Sequence, residues 1–327
     1  MTLHPAVLFL GGLVVVVVGA ELLLRGATRL AAMLRIKPIL IGLTVVAVGT
    51  SAPELAVGVT AVLEGKGALA AGNIAGTNIF NILFILGLSA AIRPLPLQLQ
   101  SIRLDVPVMI AAAVMLYFMA LDGVLSRAEG LVLVGAGLAY TAALIRLSRR
   151  ESAEMKQEFA EEFSPQALQA SGGLAQGSWN ALLLLVGICL TVLGADIMVA
   201  GAANLARMFG VSDAIIGLTI VAIGTSAPEL ATTVVATFKD DRDVAIGNLI
   251  GSSISNIFVI LGLTSVLAPH GVEVSQDVLR FDLPLGAAVA IACWPVFRSD
   301  RQVSRGEGLA FVSAYLAYLT ILVFVRA

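Results

Sequence analysis

Residues 42–56, GLTVVAVGTSAPELA, return 175 positions later as GLTIVAIGTSAPELA, residues 217–231, with two Val-to-Ile changes and no others. A chain that repeats so long a segment is expected to fold as two copies of one unit. Each copy sets a carboxylate, Glu54 or Glu229, in a stretch otherwise apolar enough to lie in a bilayer. A charge in hydrocarbon costs roughly 2.5–3.5 kcal/mol on insertion scales, so such a residue marks a function by default. Two copies of one costly device, one in each half, point to a symmetric ion-binding site.

Composition supports the bilayer. The chain is 58% hydrophobic and 13% charged, with mean hydropathy +0.97, which excludes a water-soluble domain of this length. Net charge is -2, so no nucleic-acid partner is expected. Cys189 and Cys293 sit in apolar runs without metal or redox spacing and read as packing residues. With only His4 and His270, histidine-based zinc chemistry is absent, and no nucleophile–base constellation suggests an enzyme. The first apolar run lacks a basic leader and a small-residue cleavage site, and reads as a retained transmembrane helix.

Runs long enough to span about 30 Å of hydrocarbon, roughly 20 residues each, are expected ten times: 5–24, 38–63, 68–91, 104–121, 128–147, 179–200, 212–237, 244–268, 280–297 and 306–325. Helices are the expected form, because a membrane offers no partner to unpaired backbone groups. The repeat continues outside the motif at the same offset. Gly19-Ala20-Glu21 answers Gly194-Ala195-Asp196, Gly72-Asn73 answers Gly247-Asn248, Gly76 answers Gly251, and Asn81 answers Asn256. RLDVP at 103–107 and SRAEG at 126–130 recur as RFDLP and SRGEG with a slightly larger offset. The expected fold is an all-α membrane protein of ten transmembrane helices in two five-helix repeats, 1–147 and 179–327. The polar stretch 148–178 joins them and reads as a solvated linker.

Five is odd, so the second copy must enter the membrane inverted. Loops after the odd-numbered helices hold fifteen of the twenty Lys and Arg residues. By the positive-inside rule the linker is cytoplasmic and both termini lie outside. Inverted repeats of this kind belong to secondary transporters, which bind their substrate near the midplane where the repeats meet.

The chemistry lies in the motif itself. Thr50 and Ser51 stand four and three residues before Glu54, which on a helix puts two hydroxyls and a carboxylate on one face. Pro53 has no N–H and disrupts the helix, freeing carbonyls of the preceding turn. Thr225, Ser226, Pro228 and Glu229 repeat the arrangement. Carboxylates, hydroxyls and carbonyls are hard oxygen ligands suited to Ca²⁺ or Na⁺. The segments GNIAGTNIFN at 72–81 and GNLIGSSISN at 247–256 add the i,i+4 pairs Thr77 with Asn81 and Ser252 with Asn256. Glycines 72, 76, 247 and 251 fit close helix packing at least as well as a functional role.

These motifs resemble the cation/calcium exchanger superfamily, specifically its sodium/calcium exchanger branch with two α-repeats. The proton-coupled branch typically has a GNxxE-like segment where this chain has GTSAPE. The resemblance implies that Glu54 and Glu229 are the central carboxylates shared by Ca²⁺ and Na⁺. It implies side-chain ligands at Thr50, Ser51, Thr225 and Ser226, backbone ligands at Ala47 and Ala222, and a set completed by Thr77, Asn81, Ser252 and Asn256. The chain departs from the family pattern in three ways. Thr77 replaces a common Ser, Ser253 replaces the Asn of GSN while Asn78 keeps it, and Asn256 stands where some relatives carry Asp.

The implied function is an antiporter exchanging Na⁺ for Ca²⁺ across the plasma (inner) membrane by alternating access. It would need no cofactor and no obligate protein partner beyond the lipid bilayer. If the family's three-for-one exchange applies, a tenfold Na⁺ gradient and 100 mV together supply roughly 6.5 kcal/mol per Ca²⁺. The alternatives are the same fold coupled to H⁺ or carrying Mn²⁺ or Mg²⁺, and a cation channel. Bland readings cover the remaining charges. Glu21 and Asp196 close the first helix of each copy, Asp105 and Asp282 cap helices before Pro107 and Pro284, and the SRxEG segments are helix entries.

Overall fold

A computed structural model describes residues 4–34, 36–98, 101–151, 174–209 and 222–326. Helix dominates: α1 (Pro5–Leu34), α2 (Pro38–Thr50), α3 (Ala52–Leu63), α4 (Gly67–Ile92), α5 (Ser101–Asp122), α6 (Arg127–Glu151), α7 (Leu174–Met208), α8 (Ala227–Phe238), α9 (Arg242–Leu267), α10 (Val278–Ser299) and α11 (Arg305–Arg326). Seven of these are long and apolar enough to cross a membrane, and α2 with α3 forms an eighth such span bent by 42°. The chain is a multi-pass membrane protein. Of the remaining expected spans, 212–237 falls partly outside the described residues, and 306–325 coincides with the 22-residue α11. Most of the expected linker, 152–173, lies outside the described residues as well.

The packing is inside-out relative to a soluble protein. Leu10, Val14, Leu131 and Leu138 face outward, while Thr50, Glu54, Asn81, Glu229, Asn248 and Asn256 are fully buried. Polar groups are enclosed because lipid cannot satisfy them and other helices can. The central helices are α4 and α9, of which α9 is almost wholly enclosed. Both widen into π-helical turns, at Phe80–Leu86 and Asn256–Leu261, and further π-turns open α5 and α10 at Ser101–Asp105 and Val278–Asp282. Such turns frequently mark functional positions. Asn81 and Asn256 lie in the first two.

Two short antiparallel ribbons join the halves. β1 (Leu95–Pro96) pairs with β4 (Gln302–Val303), and β2 (Val124–Leu125) pairs with β3 (Val272–Glu273). The end of α4 therefore lies beside the end of α10, and the end of α5 beside the end of α9.

α1 and α7 are 30 and 35 residues long, about 45 and 52 Å at 1.5 Å per residue. Both exceed the expected spans 5–24 and 179–200, because each continues past its apolar core without a breaker. Glu21 therefore does not close its helix. It sits within α1, where Arg25 and Lys239 pair with it. Asp196 likewise lies within α7, exposed.

The two helices touch backbone to backbone. Glycines recur every seven residues on each, at 12, 19 and 26 and at 187, 194 and 201. A Cβ added at Gly12, Gly19 or Gly26 would strike the backbone at Met198, Thr191 or Leu184. One added at Gly187, Gly194 or Gly201 would strike Leu23, Val16 or Phe9. All six pairs of residue numbers add to the same total, as antiparallel helices in one register require. The seven-residue period suits a shallow left-handed crossing, and small residues let membrane helices approach without a hydrophobic drive between them.

Two bland readings resolve differently. The SRxEG segments are capping boxes. Glu129 accepts from the Ser126 N–H at 2.8 Å while Ser126 Oγ accepts from the Glu129 N–H, and Ser304 with Glu307 repeats both bonds. The capping expected of Asp105 and Asp282 is corrected. Neither makes a capping bond, because π-turns carry the helix through them. Each is buried and accepts a tyrosine hydroxyl instead, Tyr140 on Asp105 at 2.9 Å and Tyr318 on Asp282 at 3.1 Å.

Candidate ion-binding site

The break between α2 and α3 creates the site. Ser51 leaves helical geometry at φ -83°, ψ 13°, and α3 starts at Ala52 with Pro53 in its first turn. Proline has no N–H to offer the Gly49 carbonyl, so the helix cannot run through. Glu54 follows in the same first turn, where free N–H groups and the helix dipole favour negative charge. The second copy repeats this. Ser226 breaks at φ -90°, ψ 8°, and α8 opens with Ala227, Pro228 and Glu229. A helix N-terminus is thereby set inside the protein twice, each time beneath a carboxylate.

Ser51 and Ser226 stand at the N-cap positions, and S-A-P-E has the spacing of a capping box. Neither serine caps its own helix. Ser51 Oγ donates to Glu229 Oε1 at 2.8 Å, and Ser226 Oγ lies 3.4 Å from Glu54 Oε1 and 3.3 Å from Thr77 Oγ1. The boxes are crossed, each carboxylate being met by the serine of the other copy. Thr50 and Ser252 also act on Glu229, and Thr225 acts on Glu54.

Backbone and amide oxygens complete the shell. Ser252 Oγ donates to the Ala47 carbonyl at 3.5 Å, and Thr50 Oγ1 lies 3.1 Å from the Val46 carbonyl. Ala222 begins the short turn Ala222–Gly224 that leads into Thr225 and Ser226. Asn256 Nδ2 donates to Asn78 Oδ1 at 3.0 Å. Asn81 is buried with neither end of its amide paired among the described residues.

Of the predicted set, Glu54, Glu229, Thr50, Ser51, Thr77, Thr225, Ser226, Ser252 and the Ala47 carbonyl form one connected cluster. Ala222 is placed only by its backbone, and Asn81 and Asn256 are buried without a bond to that cluster among the described residues. Three asparagines were not among the predicted ligands. Asn248 receives Thr50 at 3.2 Å and donates to Thr233 Oγ1 at 3.1 Å; its counterpart Asn73 receives Thr225 at 3.5 Å. Asn78 is the third. The shared 175-residue offset of Asn73 and Asn248 was the available signal. Glycines 247 and 251 pack as expected, since a Cβ at either would meet Ile39 or Leu43 of α2. The segment 210–221, which holds the counterparts of Ile39 and Leu43, lies outside the described residues.

Four acceptor oxygens of the predicted ligand set are buried without a donor among the described residues: Glu54 Oε2, Glu229 Oε2, Asn81 Oδ1 and Asn256 Oδ1. The two carboxylates are close enough to act on one another electrostatically. Burying two like charges with unpaired oxygens is strongly unfavourable unless a cation joins them. Among the described residues no cluster of three or more His, Cys, Asp or Glu side chains occurs. The donor set is therefore two carboxylates plus neutral oxygens, which fits hard cations and not zinc or copper.

A many-helix membrane protein with an enclosed, acidic, all-oxygen site at broken helices is of the cation-carrier class. Sequence comparison gives the family. The sodium/calcium exchanger protein family matches residues 4–146 and 179–324, and the chain belongs to it. The sodium/calcium exchanger MaX1 of Methanosarcina acetivorans is 30% identical over 355 residues, covering 99% of this chain and 100% of the relative. The inner membrane protein YrbG of Escherichia coli is 33% identical over 326 residues, covering 98% and 97%. A solved structure of the sodium-calcium exchanger NCX_Mj aligns with TM-score 0.83 at 25% identity, covering 98% of this chain and 99% of that one. MaX1 and NCX_Mj are named as exchangers, which are transporters rather than enzymes.

Proposed function

We propose that this protein is a secondary active antiporter that moves Ca²⁺ against Na⁺ at the Glu54–Glu229 site. One observation carries the reading: two buried carboxylates, each met by a serine of the other copy, with four acceptor oxygens of the predicted ligand set lacking donors among the described residues. Two negative charges balance one Ca²⁺, and the same oxygens can serve smaller-charge Na⁺ ions in its place. Glu54 and Glu229 are both fully buried, so ions must be admitted by an opening movement. That favours alternating access over a channel open at both ends.

The architecture proposed is ten transmembrane helices in two inverted five-helix repeats, 1–147 and 179–327, joined by the linker 148–178. The family matches in two blocks with nearly these limits. The crossed ribbons support inversion: the end of the third span of one copy pairs with the end of the fourth span of the other. Consecutive spans run in opposite directions, so copies related this way have opposite orientations. Placement in the plasma membrane, with the linker cytoplasmic and both termini outside, follows the charge bias of the loops.

Reconstitution tests the function. Purified protein in liposomes should take up Ca²⁺ only when Na⁺ is higher inside than outside. Uptake driven equally by a proton gradient would assign it to H⁺ coupling, and uptake without any counter-gradient would make it a channel.

A further inference from the structure

We propose that Asn78 is a positioning residue that fixes which end of the Asn256 amide faces the ion site. The proposal rests on the reading of Asn256 as a cation ligand. The chain of bonds starts at a backbone carbonyl. Asn78 Nδ2 donates to the Ser253 carbonyl at 3.1 Å. A carbonyl only accepts, so Asn78 must turn its nitrogen there and its oxygen away. That oxygen accepts from Asn256 Nδ2 at 3.0 Å. An amide oxygen also only accepts, so Asn256 must point its nitrogen at Asn78. Its own Oδ1 is left buried and without a donor among the described residues, and in this proposal it is the oxygen offered to the cation. Reversed, the amide would offer its N–H groups to a cation.

The two bonds set this orientation, and Asn78 also borders a cavity of about 20 Å³ shared with Ser253 and Asp282. The other copy lacks the device. Asn78 is answered there by Ser253, whose hydroxyl donates to its own helix at Leu249 at 2.9 Å. Asn81, the counterpart of Asn256, has neither end held among the described residues. The sequence departs from its internal repeat at this residue, and the two amides differ as a result: that of Asn256 is held by Asn78, and that of Asn81 is held by none of the described residues.

The test is a mutant cycle read by Ca²⁺-dependent uptake and by Ca²⁺-induced thermal stabilisation of the purified protein. Asn78→Ala should raise the half-saturating Ca²⁺ concentration about tenfold, the scale of one lost orienting hydrogen bond, with the maximal rate little changed. Asn78→Ser, which supplies the residue found at 253, should do the same and guards against a folding loss in the alanine variant. Adding Asn256→Asp to either should restore Ca²⁺ affinity, because a carboxylate presents oxygen whichever way it faces. A purely structural role for Asn78 predicts no such rescue, and absence of rescue overturns the proposal. Unchanged Ca²⁺ dependence in both Asn78 variants overturns it as well. Unchanged dependence in Asn256→Ala removes Asn256 from the site, and would fail the ligand reading itself.

Discussion

The glycine seam between α1 and α7 makes a quantitative prediction. In Gly194→Ala the new methyl would lie 2.6 Å from the Val16 nitrogen, and in Gly26→Ala 2.5 Å from the Leu184 nitrogen. Carbon contacts are comfortable from about 3.5 Å, so the helices must part by roughly 1 Å. If that forfeits a third of the contacts of one Leu-sized patch, on the order of 50 atom pairs at 0.1–0.2 kcal/mol each, the loss is about 2–3 kcal/mol. Replacing glycine in a helix returns up to about 1 kcal/mol, leaving a net destabilisation of about 1–2 kcal/mol, in the ordinary range for overpacking. Gly11→Ala is the internal control, since an added Cβ there meets nothing within 4 Å. It should gain the helix-propensity term alone.

The assay is thermal unfolding in detergent, with folded fraction read by size-exclusion chromatography after heating. Gly194→Ala and Gly26→Ala should melt on the order of 5 °C or more below Gly11→Ala. The double variant Gly26→Ala with Gly194→Ala should cost less than the two singles together, because one parting of the helices accommodates both methyls. Equal melting of seam and control variants would refute the close-contact reasoning. So would full additivity of the double variant.

Glu54→Gln and Glu229→Gln should each abolish Ca²⁺ uptake in folded protein, because a divalent ion in a low-dielectric site needs about two negative charges; near-normal uptake at equal abundance would remove the site. Tyr140→Phe should lower stability by about 1–3 kcal/mol, since Asp105 stays buried after losing its 2.9 Å donor, and an unchanged melting curve would show that the bond contributes little. A single Cys near Gln166, which lies outside the described residues, should react with impermeant reagents from the cytoplasmic side only, in a background lacking Cys189 and Cys293; labelling of intact cells would overturn the orientation. Na⁺-driven Ca²⁺ uptake should persist in K⁺-free liposomes with the potential held by other means, because Asn256 adds an amide and not a further charge. Flux that vanishes and returns with K⁺ would contradict this.

What the sequence revealed depended on how far each signal reached along the chain. The broken helix was legible because Pro53 acts within one turn, and the carboxylates stood out because charge is costly in hydrocarbon. The lengths of α1 and α7 were not legible, since apolar runs report the membrane-facing part of a helix and these helices continue beyond it. Asp105 and Asp282 were misread because Asp before Pro is a local capping signal, whereas their tyrosines lie 35 and 36 residues away. The glycine seam was written in the sequence at seven-residue spacing in both copies. Only the partner helix gives that spacing a meaning.

The pattern S-x-x-E shows the same limit from the other side. At 126–129 and 304–307 it closes on itself as a capping box; at 51–54 and 226–229 it does not, and the difference is the neighbour. A second helix break stands opposite, so each serine reaches a carboxylate that lacks donors more than its own backbone N–H does. Both crossed bonds span one interface, and any movement that parts the copies there breaks them together. A bond to a charged oxygen at the 2.8 Å of Ser51 and Glu229 contributes about 1.5–3 kcal/mol, and the 3.4 Å contact of Ser226 and Glu54 contributes less. Both act against repulsion between the two carboxylates. A cation seated between Glu54 and Glu229 reverses that repulsion and favours the closed arrangement by its differential affinity for it. In the exchanger reading, loading and closure are therefore coupled through the same two residues, and neither half of the chain holds that coupling alone.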